Sequence, residues 1–127
     1  MLVIDINNYS TTKKCELLDE TGNIKYWSQP DFSYKKRLHV YDSSDKELGY
    51  VQYKILSSQK GDELYIENKK VDIDNINIEK NGENSFVVKN GNKTIIVANK
   101  KDNLINVDIA DDNEKYILLL YTLIKGE

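Results

Sequence analysis

Hydrophobic and polar residues alternate in short segments along most of this chain, with clusters of turn residues between the segments. Alternation puts successive side chains on opposite faces of a strand, so the pattern predicts antiparallel β-structure with about ten strands. The first predicted hairpin joins segments 15–18 and 24–27 through the turn residues 19–23. The other predicted strands cover residues 36–41, 48–56, 64–66, 71–73, 76–78, 86–88, 94–97 and 104–109.

Local breaks in the pattern predict where the chain turns. The Asn-Gly pairs at 81–82 and 90–91 predict two-residue hairpin turns, because Asn and Gly tolerate positive φ angles. The alternating segments 71–73 and 76–78 are out of phase with each other. Because a shift of one residue would otherwise exchange the two faces of a strand, we predict a bulge or a tight turn at residues 74–75.

The end of the chain changes from alternation to the apolar run Tyr116–Ile124, in which only Thr122 is polar. Its leucines favour a helix, and Asp111 with Glu114 has the spacing of a capping box. We predict a helix over about residues 112–125, although a final buried strand is an alternative interpretation. A helix that is apolar on all sides must be enclosed. At roughly 1.5–3 kcal/mol per buried large side chain, it would supply much of the core energy.

These elements predict one domain over residues 1–127, mainly β with one buried C-terminal helix. A sheet that surrounds a helix must curve, so we expect an antiparallel β-barrel or half-barrel around that helix. A chain of 127 residues with 39% hydrophobic residues is long enough to bury a core. The same composition argues against an intrinsically disordered chain.

Charge and composition exclude several classes of protein. With 18 Lys+Arg against 21 Asp+Glu the net charge is −3, so we expect no nucleic-acid partner. We also expect no transmembrane segment, because no apolar run approaches the roughly 18–20 residues that span a bilayer. The N-terminus lacks the basic start of a signal peptide, and one cysteine cannot form an internal disulfide. We therefore expect a cytoplasmic protein.

Catalytic and metal-binding signatures are largely missing from the sequence. The only histidine, His39, falls inside an alternating segment and has no paired nucleophile motif, so we interpret it as a side chain on a sheet face. Cys15 flanks a strand and is interpreted as a small buried residue. The acidic groups at 72–74 and 108–112 lack the Gly and closing Glu of a calcium loop. We expect no catalytic residue, metal or cofactor.

The densest basic cluster is Lys35-Lys36-Arg37, which lies between Tyr34 and His39. On an alternating strand, Lys35 and Arg37 share one face while Lys36 points away. The candidate ligand-binding residues are therefore Tyr34, Lys35, Arg37 and His39, which could hold an anionic group. The alternative is a solvated cluster that protects a sheet edge. Three other lysine pairs, at 13–14, 69–70 and 100–101, are interpreted as solvated turn charges.

The chain also contains nine tyrosines and one tryptophan. Such a content could indicate a platform for carbohydrate or nucleic acid. Because most of the tyrosines fall in predicted strands, packing in the core and across strands is the better interpretation.

Three stretches resemble the bacterial proteins related to the plant LURP-one group. Residues 15–26 resemble the opening hairpin of that family. Residues 38–54 resemble a second hairpin, with an Asp-rich turn and a returning strand that carries a Gly and then a Lys. Residues 111–124 resemble the hydrophobic central helix. The resemblance implies a tubby C-terminal-like fold, a β-barrel wrapped around one helix. A pleckstrin-homology-like curved sheet with a C-terminal helix is the alternative fold.

The resemblance and the missing catalytic signatures lead to three functional hypotheses. The first is a non-enzymatic binding domain for an anionic lipid head group or a protein. Eukaryotic tubby-like domains bind phosphoinositide head groups through basic side chains, which implies the lipid version. The second hypothesis is an immunity or regulatory protein that acts through a protein partner. The third is a small-molecule carrier or an enzyme that uses the barrel mouth.

Overall fold

The computed structural model describes residues 1–34, 36–53, 62–110 and 113–124. Within these ranges the chain forms one antiparallel sheet of eleven strands, followed by one helix. The strands are β1 Leu2–Asp5, β2 Cys15–Asp19, β3 Ile24–Pro30, β4 Arg37–Asp42, β5 Glu47–Gln52, β6 Glu63–Ile66, β7 Lys69–Lys70, β8 Ile76–Lys80, β9 Phe86–Asn90, β10 Lys93–Lys101 and β11 Leu104–Ile109. The helix α1 covers Glu114–Leu123.

The sheet curls, and its connectivity shows why. Its strand order is β7-β6-β5-β4-β3-β2-β1-β11-β10-β9-β8, so β7 and β8 form the two edges. Ten strand spacings would separate these edges by about 48 Å in a flat sheet. The connection 71–75 between them spans at most about 21 Å. The sheet must therefore bend until its edges approach each other, which gives a half-barrel rather than a closed barrel.

The predicted C-terminal helix is confirmed, and the alternative of a final strand is wrong. Asn113 caps α1 through its side chain, which accepts a hydrogen bond from the Lys115 N–H at 2.9 Å. The expected capping residue Asp111 lies outside the described residues, as do residues 112 and 125 at the predicted helix ends. Among the described residues, no helix is long and apolar enough to cross a membrane.

The helix is enclosed by the concave side of the sheet. Every residue from Tyr116 to Tyr121 is buried, which leaves no solvent-facing side over that stretch. The helix packs against β5 and β6. The Tyr53 hydroxyl donates to the Tyr121 carbonyl oxygen at 2.8 Å, and the Asn90 amide donates to the Tyr116 hydroxyl at 3.1 Å. The predicted fold class, mainly β with one buried C-terminal helix inside a half-barrel, is thus confirmed.

Three strands differ from the prediction, and one of them is β7, Lys69–Lys70, which was interpreted as a turn. β1, Leu2–Asp5, was not predicted, although it pairs with β2 and β11 and joins the two halves of the sheet. Its residues Leu2, Val3 and Ile4 are all apolar, which hides the alternation of buried and half-buried positions. The predicted strand 71–73 is wrong, because these residues form the connection between the sheet edges. The turn predicted at residues 74–75 is confirmed.

The two Asn-Gly pairs form different connections. The β9–β10 hairpin has a two-residue turn, as predicted, but its turn residues are Gly91 and Asn92. The positive φ of 62° at Gly91 explains the preference for glycine there. The β8–β9 connection instead covers five residues, 81–85, and is closed by a hydrogen bond from the Asn81 N–H to the Ser85 carbonyl at 2.8 Å.

Candidate functional site

Three of the four residues singled out in the sequence lie together where the chain enters β4. Tyr34 lies in the β3–β4 connection, and Arg37 and His39 extend from β4 on the face opposite the helix. Leu38 between them is buried in the core. Arg37 and His39 thus share one face, as the alternation predicted. Lys35 lies outside the described residues, so its part in this cluster stays a prediction.

The guanidinium group of Arg37 is held by its neighbours. Its central carbon lies 4.6 Å from the ring centre of Tyr50 and 5.7 Å from that of Tyr34. Its Nε donates a hydrogen bond to Gln52 Oε1 at 3.2 Å. Cation–π contacts and this hydrogen bond fix the orientation of the side chain. This geometry favours a structural role for Arg37 over the capture of an anion.

His39 lies between two carboxylates. Its Nε2 is 2.7 Å from Asp31 Oδ2, and its Nδ1 is 3.3 Å from Glu47 Oε1. The other oxygen of Asp31 accepts hydrogen bonds from the Ser33 N–H and hydroxyl and from the Tyr34 N–H. The hydrogen bond to His39, followed by those from Ser33, holds the pKa of the Asp31 carboxyl well below its usual range. The Asp31 carboxylate therefore fixes Ser33 and Tyr34 of the connection relative to His39 on β4.

Aromatic side chains on the same face are stacked in cross-strand pairs. The rings of Trp27 and Tyr41 lie 4.1 Å apart at 14°, and those of Tyr50 and Tyr65 lie 4.8 Å apart at 12°. Each pair is also matched in the strand register. Stacking covers one face of each ring with its cross-strand neighbour. The pairs support the interpretation of the aromatic content as sheet packing.

A cavity of about 620 Å³ lies between the β1–β2 connection and the end of the β10–β11 hairpin. A hydrogen bond from the Ile6 N–H to the Asn103 carbonyl, 2.8 Å long, holds these two segments together. The Lys100 N–H is fixed in turn by the Ser85 hydroxyl at 3.1 Å. The cavity is lined by Ile6, Asn7, Asn8, Tyr9, Ser10, Lys13, Lys14, Lys100 and Asn103.

This lining is basic and polar. It contains three lysines, Lys13, Lys14 and Lys100, and no acidic residue. The Lys14 ammonium lies 4.9 Å from the ring centre of Trp27, a residue outside this lining. Within the described ranges, Lys13 and Lys100 form no ion pair. Ammonium groups next to amide donors suit a phosphate or a carboxylate. We call this site the lysine cavity.

The interpretation as solvated turn charges is confirmed for Lys13 and Lys14, which are exposed in the β1–β2 connection, whereas Lys100 and the pair 69–70 are exposed in strands rather than turns. Lys13 and Lys14 follow β1, whereas Lys100 lies near the end of β10. They meet because β1 pairs with β11, which in turn pairs with β10. A prediction of the strand Leu2–Asp5 would have revealed that these lysines lie near each other. Without that strand, the sequence places the two lysine groups on unrelated segments.

Local structure accounts for two other groups considered in the sequence. Cys15 is buried, and its thiol lies 3.6 Å from the Asn8 carbonyl oxygen. Burial raises the pKa of the Cys15 thiol, which disfavours the nucleophilic thiolate. Asp72 accepts a hydrogen bond from the Asp74 N–H at 2.8 Å, as in a turn. Neither group forms part of the lysine cavity.

Comparisons with known proteins identify the fold alone. No family model matches the chain, and no curated protein is detectably similar in sequence. The chain is similar in structure to a protein from Arabidopsis thaliana, AT5G01750, whose X-ray structure superposes with a TM-score of 0.62. The match covers 97% of this chain and 87% of the plant protein at 14% sequence identity. At that identity the similarity establishes a shared fold.

Proposed function

We propose that this chain is a non-enzymatic binding domain that takes an anionic group in the lysine cavity. The observation that carries the proposal is the convergence of Lys13, Lys14 and Lys100 on one concave site whose lining has no acidic residue. A concave surface lined by three lysines and no acidic residue attracts anions. A phosphate-bearing head group has the charge and the acceptor oxygens that this lining can satisfy.

The contacts of His39 and the burial of Cys15 support a non-enzymatic role. His39 is held between Asp31 and Glu47 on another part of the sheet, and the Cys15 thiol is buried. Neither side chain lines the lysine cavity. The cavity therefore offers cations and hydrogen-bond donors, which bind anions, without a general base beside them.

We also propose membership of the LURP-one-related group with its tubby C-terminal-like fold. The curled sheet around an enclosed helix is the architecture that the sequence resemblance implies. In this proposal the ligand is an anionic lipid head group, and its site moves from the cluster at 34–39 to the lysine cavity.

The test compares binding of two probes by the native chain and by a Lys13→Gln/Lys100→Gln variant. One probe is a vesicle of phosphatidylcholine with phosphatidylserine, followed by flotation. The other is soluble inositol trisphosphate, followed by calorimetry. Each lysine near an anionic surface contributes about 1 kcal/mol, so the double variant should bind about thirtyfold more weakly. Binding by the native chain should also weaken as salt is added.

A Lys46→Gln/Lys93→Gln variant is the matched control, because it removes the same charge from two exposed lysines outside the cavity. It should bind as the native chain does. Equal losses in both variants would show only a general charge effect and would refute the site. Binding to vesicles but not to inositol trisphosphate would assign the ligand to a membrane, and the reverse result would assign it to a soluble phosphate.

A protein partner is the second candidate, in keeping with a regulatory or immunity protein. The observation that favours it is the fully exposed ring of Phe32 in the β3–β4 connection. Exposed aromatic side chains on ordered loops are common anchors of protein interfaces.

A further inference from the structure

One wall of the lysine cavity is the tight turn that follows β1. Residues 6–9 all line the cavity, and they come directly after Asp5, the last residue of the strand. The Asp5 carbonyl oxygen accepts hydrogen bonds from the Asn8 N–H at 3.0 Å and from the Tyr9 N–H at 2.9 Å. The backbone of Asp5 thus closes this turn, which we call the 5–9 turn.

The carboxylate of Asp5 holds the two asparagines of the 5–9 turn. Its Oδ1 accepts a hydrogen bond from the Asn7 N–H at 2.9 Å, and its Oδ2 accepts one from Asn8 Nδ2 at 3.2 Å. An aspartate that accepts from the N–H two residues ahead forms an Asx-turn, which fixes the local backbone. Each oxygen of the carboxylate therefore holds a residue that lines the cavity.

The far end of the 5–9 turn is anchored in the core. Tyr9 is only 3% exposed, and its ring stacks on that of Tyr121 in α1 with the ring centres 6.2 Å apart. The turn is therefore fixed by Asp5 at its start and by Tyr9 at its end. Asn7 and Asn8, which lie between these two points, are held at the cavity in a defined geometry.

The charge of Asp5 is unfavourable for an anion site nearby. A carboxylate close to a bound anion lowers the affinity, because like charges repel. Asp5 does not itself line the lysine cavity, although the next residue, Ile6, does. Its contribution to the site must therefore come from the contacts that it makes with Asn7 and Asn8.

We propose that Asp5 is a positioning residue of the anion site. Its carboxylate orients the Asn7 backbone and the Asn8 side chain toward a phosphate held by the lysines. Asn8 Nδ2 carries two hydrogens, so one remains for the ligand when the other is bound to Asp5. Donors that are ordered before binding lose less conformational entropy when the ligand arrives. This inference rests on the proposed anion-binding function and adds a residue that acts without touching the ligand.

Two substitutions separate the charge of Asp5 from its positioning role. Asp5→Asn and Asp5→Ala remove the same negative charge, so the electrostatic gain in anion binding is equal in both. Asp5→Asn keeps a side-chain oxygen that can accept from the Asn7 N–H, because asparagine forms Asx-turns as aspartate does. Asp5→Ala has no acceptor there.

We expect Asp5→Ala to bind inositol trisphosphate roughly three- to tenfold more weakly than Asp5→Asn, the range that corresponds to one hydrogen bond. Calorimetry measures both affinities. If the native chain binds only the anionic vesicles, flotation with those vesicles gives the same comparison.

The same pair of substitutions at Asp42 is the matched control. Asp42 forms a similar turn between β4 and β5, where its Oδ1 accepts from the Ser44 N–H at 2.8 Å and from the Lys46 N–H at 3.0 Å. It does not line the lysine cavity. Asp42→Asn and Asp42→Ala should therefore bind the anion equally. Thermal unfolding checks that all four variants are folded at the temperature of the binding measurement.

NMR of the backbone and side-chain amides gives a readout that a change in overall stability does not move. At saturation with inositol trisphosphate, the signals of Asn7 and Asn8 should shift in the native chain and in Asp5→Asn. In Asp5→Ala these shifts should be smaller, while those of Lys13 and Lys100 persist. A selective loss of this kind identifies the asparagine wall as the part that Asp5 positions.

Equal binding by Asp5→Asn and Asp5→Ala would overturn the proposal, because the charge alone would then account for Asp5. A difference of the same size between the two Asp42 variants would also overturn it, since the loss of any such turn would then have the same effect. Either result leaves the anion site standing if Lys13→Gln/Lys100→Gln still weakens binding. A native chain that binds neither inositol trisphosphate nor the vesicles would overturn the anion site itself, and the role of Asp5 with it.

Discussion

At the scale of single residues, the packing between helix and sheet contains an unusual group of hydroxyls. The hydroxyls of Ser28 and Tyr121 are buried there, and the Tyr9 hydroxyl is buried with no hydrogen-bond partner in the described part of the chain. Burial raises the pKa of the Tyr9 hydroxyl well above its usual value, since the charged form would be desolvated. The Tyr53 hydroxyl is different, because it donates to the Tyr121 carbonyl at 2.8 Å.

This contrast predicts opposite effects for two otherwise identical substitutions. Tyr53→Phe should lower the free energy of unfolding by about 0.5–1.5 kcal/mol, because it removes a hydrogen bond. Tyr9→Phe should leave that free energy unchanged or raise it, because it removes an unsatisfied polar atom from the interior. Urea denaturation followed by tryptophan fluorescence measures both. A larger loss in Tyr9→Phe would show that its hydroxyl has a partner.

The carboxylate of Asp31 predicts a dependence of stability on pH. Its pKa is lowered in the folded chain from an ordinary value of 3.8, chiefly by the hydrogen bond to His39. A lowered pKa means that the ionised form favours folding at pH values above 3.8, and that this contribution is lost as the pH falls below it. Asp31→Asn should therefore destabilise the chain near neutral pH.

The difference between Asp31→Asn and the native chain should narrow in acid. Thermal unfolding at a series of pH values gives this comparison. Asp108→Asn is a control, because it removes an exposed carboxylate from β11. A difference that stays constant from neutral pH into acid would contradict the contribution of the ionised Asp31.

At the scale of elements, the contact of β5 with β6 and the helix depends on the absence of a side chain at Gly49. A Cβ atom there would overlap the Tyr65 carbonyl oxygen and come within 2.9 Å of Leu118 Cδ1. Gly49→Ala should lower the free energy of unfolding by about 1–3 kcal/mol or more, because backbone atoms would have to shift. Chemical denaturation measures the loss.

Gly22→Asn is the comparison for Gly49→Ala. Gly22 has a φ of 86° with open space around its Cβ position, and Asn tolerates positive φ better than most residues. Its effect should stay below that of Gly49→Ala. Equal losses would mean that the close contact at Gly49 is relieved at little cost.

The sequence predicted the strands and the helix better than it predicted which of them lie side by side. Alternation identified most strands, and the run from Tyr116 to Ile124 identified the buried helix, because both patterns are local. β1 was missed because three consecutive apolar residues hide a period of two. The Asn81-Gly82 pair predicted a tight turn, but the observed connection has five residues. The register of neighbouring strands, which local patterns do not encode, decides such lengths.

The prediction of the candidate site suffered more strongly, because β1 was not predicted. The cluster at Tyr34, Arg37 and His39 was visible because its residues are adjacent in sequence. The lysine cavity was not, because Lys13 and Lys100 come together only through the pairing of β1 with β11. The Asp31–His39 contact was also missed, since it joins a connection to a strand.

At the scale of the whole molecule, the curled sheet separates the buried helix from the proposed anion site. Its concave side is filled by the helix, and its two edges are held near each other by the connection 71–75. The lysine cavity lies where strands end and connections begin. Such positions leave side chains accessible on a rigid framework, which is where binding residues concentrate in β-proteins.

The location of the anion site is the central claim, and NMR measures it most directly. Inositol trisphosphate is titrated into the isotope-labelled native chain while the backbone amide signals are followed. We expect saturable shifts that are largest in residues 6–14 and 100–103, which carry the lysine cavity. Saturable shifts centred on residues 34–39 instead would contradict the account. Failure of the native chain to bind either inositol trisphosphate or the anionic vesicles would also contradict it.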